Sequence, residues 1–140
     1  MSPALAGDAA RRRFAASRVA RLATVSASGV PHLVPCTFAL DGDSIYVAVD
    51  HKPKTTTNLK RLRNIAANPH VAVLADYYDD DWALLWWVRA DGVAAVLDEP
   101  AAMSRPVLLL AEKYSQYADQ PPAGPVIAIS VTAWSGWSAS

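Results

Sequence analysis

The sequence is short of the residues from which disulfides and metal sites are usually built. Of its 140 residues only Cys36 is a cysteine, and only three are histidines. A lone cysteine excludes a disulfide within the chain and a cysteine cage for zinc. His32 and Cys36 fall on one face of a predicted strand, but the strand rise separates them by about 13 Å, too far to share one ion. The sequence therefore predicts no metal site.

Long apolar runs and an excess of either charge are also missing. No run approaches the roughly 20 apolar residues that a membrane-spanning helix requires, and the N-terminal "MSPALAGDAARRRF" lacks the apolar centre of a secretion signal. Thirteen basic residues balance thirteen acidic ones, so no overall field attracts nucleic acid. We therefore expect a cytoplasmic protein that binds neither membranes nor nucleic acid.

Several catalytic motifs are absent as well. The sequence has no G-x-S-x-G, no P-loop and no G-x-G-x-x-G, which argues against an α/β hydrolase, a P-loop nucleotidase and a Rossmann dehydrogenase. No pair of acid and base side chains stands out either, so we assign no catalytic residue. A protein whose chemistry comes from a bound cofactor shows this pattern.

Short β-rich segments separated by turn signals dominate what is present. With 52% hydrophobic residues the chain can bury a core of ordinary size, and we expect a single domain over 1–140. Six segments have strand character: Arg18–Ser26, Val30–Leu40, Ser44–Asp50, His70–Asp76, Trp82–Leu97 and a last strand from Val126. Because an open sheet of this size would expose its edges, closure into an antiparallel barrel is favoured.

Helical spacing appears in three other places. We predict a first helix over 9–17 capped by Asp8, and a second from Thr57 that is stopped by the pair Asn68-Pro69. The third covers Glu99–Tyr114 and should be broken or kinked at Pro106. The predicted fold is mainly β, with at least six antiparallel strands, a bulge at Gly92 and flanking helices packed outside the barrel.

Charge is balanced overall but segregated along the chain. The stretch "DHKPKTTTNLKRLR", from Asp50 to Arg63, carries five cations and one acid, whereas Asp76–Trp82 carries four acids and no cation. Lysines placed before a helix oppose its dipole, and an ordinary helix start favours Asp or Glu there. A helix N-terminus with threonine hydroxyls and cations indicates a phosphate-type ligand. The alternative is a capped helix with a solvated basic face.

Tryptophan is the other unusual feature, with five in the chain. Adjacent residues of a strand face opposite sides, so Trp86 and Trp87 cannot both point into a barrel. One of them must be covered by a partner subunit, a helix or a flat ligand.

The order of elements resembles a known family. The segments "VARLATVSASGVPHLVPCTFALDGDSIYVAVD" and "KPKTTTNLKRLRNIAANPHVAVL" are similar to the pyridoxamine-phosphate-oxidase-like split β-barrel flavoproteins. The later "DYYDDDWALLWWVRADGVAAVL", "AEKYSQY" and "GWSAS" resemble the branch that depends on coenzyme F420, a deazaflavin. The resemblance runs from about Arg18 to the end and implies an FMN-binding-like split barrel that forms a homodimer, with two cofactors in grooves at the interface.

The resemblance also implies which residues hold the cofactor. The second strand lays its backbone beside the tricyclic ring, and the junction after the third strand holds the phosphate. Carried over by position, the implied cofactor-binding residues are Val34, Pro35, Cys36, Thr37, Val49, Asp50, Lys52, Lys54, Thr55, Asn58, Lys60, Arg61 and Trp87.

The activity implied is hydride transfer between coenzyme F420 and a small electrophilic organic substrate. Relatives are richer in arginine where this chain has "TTTN" at Thr55–Asn58, so FMN in the same groove stays open as an alternative cofactor. A deazaflavin- or flavin-binding protein without turnover is the third reading, because the chain offers no acid–base pair.

Overall fold

The fold is a seven-stranded antiparallel sheet with four helices, and the computed structural model describes residues 4–49 and 59–140. The elements are α1 (Gly7–Ala16), β1 (Ala20–Val25), β2 (Pro31–Cys36), β3 (Phe38–Asp41), β4 (Ser44–Ala48), α2 (Lys60–Ala67), β5 (His70–Tyr77), a 3₁₀ turn (Trp82–Leu84), β6 (Trp86–Leu97), α3 (Pro100–Lys113), α4 (Ser115–Asp119) and β7 (Val126–Ser138).

The sheet curls because its two edges are joined by one residue. The strand order is β2-β1-β5-β6-β7-β4-β3, so β2 and β3 lie at opposite edges. Only Thr37 connects them, which brings the edges together at this corner. The predicted single strand Val30–Leu40 is therefore wrong, because the chain leaves β1 at Cys36 and pairs with β4 from Phe38 onwards. The predicted split-barrel fold is confirmed.

Side chains that point into the curl form one core. Alternate residues of the strands are inaccessible, among them Leu22, Val47, Val73 and Val88. The predicted bulge is confirmed, since the pairing of β6 with β7 shifts register between Asp91 and Gly92. A Cβ at Gly92 would lie 2.5 Å from the carbonyl oxygen of Ser130, so only glycine fits where the two strands approach.

Helices α1 and α2 flank the sheet as predicted, and each contributes side chains to the same core. Phe14 of α1 and Ile65 of α2 are buried in the cluster formed by the inward-facing strand residues. Helix α3 packs on β3 and β4, where Leu110 and Tyr114 cover Ala39 and Ala48.

The helix ends differ from the predictions. The N-cap of α1 is Ala6, and Asp8 lies in the first turn with its carboxylate paired to Arg11. Helix α2 begins at Lys60 with extended Leu59 at its N-cap, so it starts three residues later than the predicted Thr57. Helix α3 runs through Pro106 without a break, because this proline is buried against the fold and packing outweighs its lost hydrogen bond.

Candidate functional site

The corner between β2 and β3 is fixed by two tyrosines from the other end of the chain. The Tyr114 hydroxyl accepts a hydrogen bond from the Phe38 amide at 3.1 Å and lies 2.9 Å from the carbonyl oxygen of Arg18, to which it donates. The hydroxyls of Thr37 and Tyr117 are 2.8 Å apart. The carbonyl of Thr37 accepts from the Ala48 amide, so the end of β4 is held at the same corner.

Positive charges from three elements act on the end of β2. Burial raises the pKa of the Cys36 thiol to about 12, while the cations of Arg61, Arg21 and Lys113 act to lower it. Because burial dominates, the thiol stays protonated at neutral pH and offers no thiolate nucleophile. These three cations come from α2, β1 and α3, and none forms an ion pair with the described residues.

Of these three cations, Lys113 is the one whose charged atom, Nζ, is buried without a hydrogen-bond partner in the described part of the chain. The ammonium lies 3.6 Å from the centre of the Phe38 ring and 5.3 Å from that of Tyr114. Burial, and then the nearby guanidinium of Arg18, lower the pKa of Lys113 to about 8. A bound anion would relieve both effects.

The predicted site residues on β2 and β4 do not all face the same way. The side chains of Val34, Cys36 and Val49 point inward and contact the core, so a ligand beside them would meet backbone. Pro35 is exposed on the opposite face, and Thr37 lies at the corner itself.

The predicted residues of the basic junction divide between two parts of the chain. Lys60 and Arg61 are the first two residues of α2, which brings Arg61 near enough to act on the Cys36 thiol. The others lie outside the described residues: Asp50, Lys52, Lys54, Thr55 and Asn58. Their assignment to a cofactor stays a prediction.

Trp87 lies on the outer face of the sheet, as one of the two adjacent tryptophans was predicted to. Trp86 packs against the core, with the guanidinium of Arg13 5.2 Å from its ring centre. Trp87 lines a surface groove of about 490 Å³ together with Arg21, Leu33 and six other residues: Ala23, Ala72, Leu74, Asp76, Tyr78 and Arg89. The groove is a separate surface from the inward side of β2.

Sequence reasoning missed Lys113 and Arg18 as parts of this corner. Each is a single cation in an unremarkable segment, and only the pairing of distant elements brings them together. The alternation in "VARLATV" did indicate that Arg21 faces outward, but not what it faces.

Two negative findings concern the described part of the chain. Residues 4–49 and 59–140 contain no group of three or more His, Cys, Asp or Glu side chains placed to hold a metal ion. Within the same ranges no helix combines the length and apolar character needed to cross a membrane.

Comparisons with known proteins agree with the fold. A family model described as "Pyridoxamine 5'-phosphate oxidase" matches residues 6–138. The structure is similar to a conserved hypothetical protein of Mycobacterium tuberculosis, with TM-score 0.77 and 21% identity over 96% of this chain and 86% of that one. A FAD-binding protein of Mesorhizobium loti gives TM-score 0.73 and 21% identity over 95% and 94%. A heme storage protein of Vibrio cholerae gives TM-score 0.70 and 17% identity over 89% of each chain. At these identities the likeness to solved structures shows the shared fold alone. No curated protein matches the sequence.

Proposed function

Because the chain belongs to the pyridoxamine 5'-phosphate oxidase family, we propose that it is a cofactor-dependent oxidoreductase that binds coenzyme F420 at the β2–β3 corner. Its reaction would be hydride transfer between the deazaflavin and a small electrophilic organic substrate. FMN in the same groove is the alternative cofactor.

The observation that carries this proposal is the set of cations that act on Cys36 and form no ion pair with the described residues. Arg61, Arg21 and Lys113 all act on that thiol, and one of them is a buried ammonium with no hydrogen-bond partner in the described part of the chain. Uncompensated buried charge is costly, so a site of this kind favours an anionic occupant. Both F420 and FMN carry a phosphate. The residues present therefore fit such a cofactor.

The chain's own residues would bind and orient the cofactor and exclude water from it, while the bound cofactor would supply the hydride chemistry. Cations at the start of α2, together with the predicted Lys52 and Lys54, would neutralise the phosphate. The backbone of Val34–Thr37 would lie beside the ring. The corner is suited to holding a ring in one place because hydroxyls of Tyr114 and Tyr117 hold it rigid.

The choice between the two cofactors rests on different grounds. F420 is favoured by the resemblance of the C-terminal segments, whereas FMN is favoured by structural neighbours that are FAD-binding proteins. The heme storage neighbour supports a third functional class, a binding protein without turnover. All three hypotheses would use the same candidate site, and they differ in what binds and whether substrate is reduced.

Replacing Lys54 by alanine should weaken cofactor binding by more than roughly tenfold. A charge-assisted contact to a phosphate contributes about 1.5–3 kcal/mol, which corresponds to at least this change in dissociation constant. Calorimetric titration of the wild type and the variant with F420, and separately with FMN, measures it. Arg12→Ala is a matched control, since Arg12 is an exposed cation on α1. Equal dissociation constants for wild type and Lys54→Ala would refute the phosphate role of Lys54.

A further inference from the structure

Another cavity opens beside the β2–β3 corner, and the proposed cofactor leaves it unused. Its volume is about 450 Å³, which lies in the range in which small molecules bind. Here it is called the corner pocket, and the described residues that line it are Arg18, Thr37, Tyr114, Gln116 and Tyr117. They come from the segment before β1, from the corner itself and from the end of α3 with α4. Only the folded chain brings them together.

Two aromatic rings give the corner pocket rigid walls. The rings of Tyr114 and Tyr117 meet edge to face, with their centres 5.6 Å apart. Both hydroxyls are engaged with the backbone or side chains of the corner: that of Tyr117 lies 2.8 Å from the Thr37 hydroxyl, and that of Tyr114 donates to the carbonyl of Arg18. The rings are therefore held in place before a ligand arrives, which lowers the entropy lost on binding.

Arg18 supplies the charge of the corner pocket. Its guanidinium carbon lies 4.8 Å from the centre of the Tyr114 ring, and its Nη2 atom donates a 2.8 Å hydrogen bond to the carbonyl of Lys113. These contacts orient the guanidinium while the residue stays exposed. Within residues 4–49 and 59–140 Arg18 forms no ion pair. An oriented and accessible guanidinium is suited to bind a carboxylate through two parallel N–H donors.

The surroundings of Arg18 favour an anion over a neutral molecule of the same shape. None of the described residues that line the corner pocket is acidic. The guanidinium of Arg18 also acts on the Lys113 ammonium, whose pKa it helps burial to lower. Two cations therefore repel each other at this place, and an anion bound to Arg18 would relieve that repulsion.

We propose that the corner pocket binds a small planar molecule through its carboxylate, with Arg18 as the anchor and the rings of Tyr114 and Tyr117 against its flat body. The exposed amide of Gln116 adds a neutral hydrogen-bonding group. A carboxylate on a flat apolar body uses both the charge and the rings of the pocket, whereas inorganic phosphate uses the charge alone.

Thr37 connects the corner pocket with the proposed cofactor site. It lines the pocket, and it is also the last residue of the segment that we expect beside the cofactor ring. A molecule in the pocket is then a neighbour of the cofactor, so the substrate of the proposed oxidoreductase belongs to the class of small planar carboxylates. This assignment to a substrate rests on the proposed function, whereas the carboxylate site itself does not.

Titration of the cofactor-free protein with cinnamate, followed by ligand-observed NMR, tests the carboxylate site. Cinnamate is a flat conjugated carboxylate, and cinnamamide is its neutral counterpart of nearly the same shape. We expect saturable binding of cinnamate and at least tenfold weaker binding of cinnamamide, because the charge-assisted contact to Arg18 is lost. An equal concentration of inorganic phosphate should not displace cinnamate. Absence of saturable cinnamate binding, or equal binding of the acid and the amide, would overturn the proposal.

Two variants locate the binding in the corner pocket. Arg18→Met keeps an apolar stem over Tyr114 without the charge and should weaken cinnamate binding at least tenfold. Gln116→Glu places an anion in the pocket from an exposed helix position; it should weaken cinnamate binding to a similar degree and change that of cinnamamide little. Arg12→Met removes an exposed cation from α1 and should bind cinnamate as the wild type does. Full cinnamate affinity in both pocket variants would contradict the proposal.

The same titration in the presence of saturating F420, and then of FMN, separates this proposal from the proposed function. Undiminished cinnamate binding to the cofactor-loaded protein would support the corner pocket as the substrate site. Competition between cinnamate and a cofactor would assign Arg18 to an anionic group of that cofactor and overturn the substrate assignment. A protein that binds cinnamate but neither cofactor would contradict the proposed function while supporting the carboxylate site.

Discussion

Replacing Phe14 by alanine should lower the free energy of unfolding by about 3–5 kcal/mol. The ring is inaccessible to solvent, with its centre 4.6 Å from that of Phe38 and 5.3 Å from that of Trp134. It is the side chain by which α1 closes one side of the curled sheet, so its loss removes both buried area and two ring contacts. The cavity would lie between α1, β3 and β7, and the loss of the two ring contacts adds to its cost.

Urea denaturation at one fixed protein concentration measures this change. Phe14→Leu is the matched control, since it keeps most of the apolar volume and should cost clearly less than the alanine variant. A loss below about 1 kcal/mol for Phe14→Ala would mean that α1 is not part of the core.

Replacing Lys113 by methionine should stabilise the cofactor-free protein and weaken its binding of FMN or F420. Burial lowers the pKa of Lys113 from 10.5 to about 8, so the folded protein holds this proton less tightly than the unfolded chain does. Wild-type stability therefore rises with pH between about 8 and 10.5, where the unfolded chain is protonated and the folded protein is not. Below pH 8 the folded protein carries the buried ammonium, so its full destabilising effect on the free energy of unfolding is present.

Methionine removes that cost while its stem and sulfur still pack on Phe38 and Tyr114. We expect about 1 kcal/mol of extra stability at pH 7, after discounting the pKa shift for the partial exposure of the side chain. The rise in stability between pH 8 and 10.5 should flatten. Binding of the anionic cofactor should weaken by roughly tenfold, since one charge is lost from the corner.

Denaturation at several pH values and calorimetric titration with FMN and F420 measure the two effects. Lys113→Arg keeps the charge and should retain cofactor affinity. A methionine variant that is less stable than the wild type, or that binds both cofactors as tightly, would contradict the account of Lys113.

The two-residue alternation of apolar side chains along the strands, together with the turn signals, was enough to predict most of the fold. Buried alternation in β1, β4 and β5, the bulge at Gly92 and the stop at Asn68 all follow from local chemistry. The division of Val30–Leu40 into β2 and β3 does not, because nothing near Thr37 in sequence records that the residues on its two sides pair with different strands, β1 and β4, and lie at opposite edges of the sheet. The tolerance of α3 for Pro106 likewise depends on packing from elsewhere.

The candidate site was predictable only in part. The segregated cations of the junction indicated an anion site, and Arg61 does act on the thiol of Cys36. Lys113 lies 77 positions beyond Cys36 in the chain, so its buried charge could be recognised only once α3 was placed over Phe38. The orientation of Val34 and Val49 toward the core was also invisible, since a strand's two faces are assigned by its neighbours.

The central claim, that the cationic corner binds a phosphate-bearing redox cofactor, is tested most directly by titrating the purified protein with coenzyme F420 and, separately, with FMN. Tryptophan fluorescence reports binding, because Trp87 and four other tryptophans are available for quenching. The account predicts saturable quenching by F420 at a lower concentration than by FMN; the reverse order would assign the site to a flavin. Saturable binding of neither would contradict the account and return the basic junction to a solvated helix start.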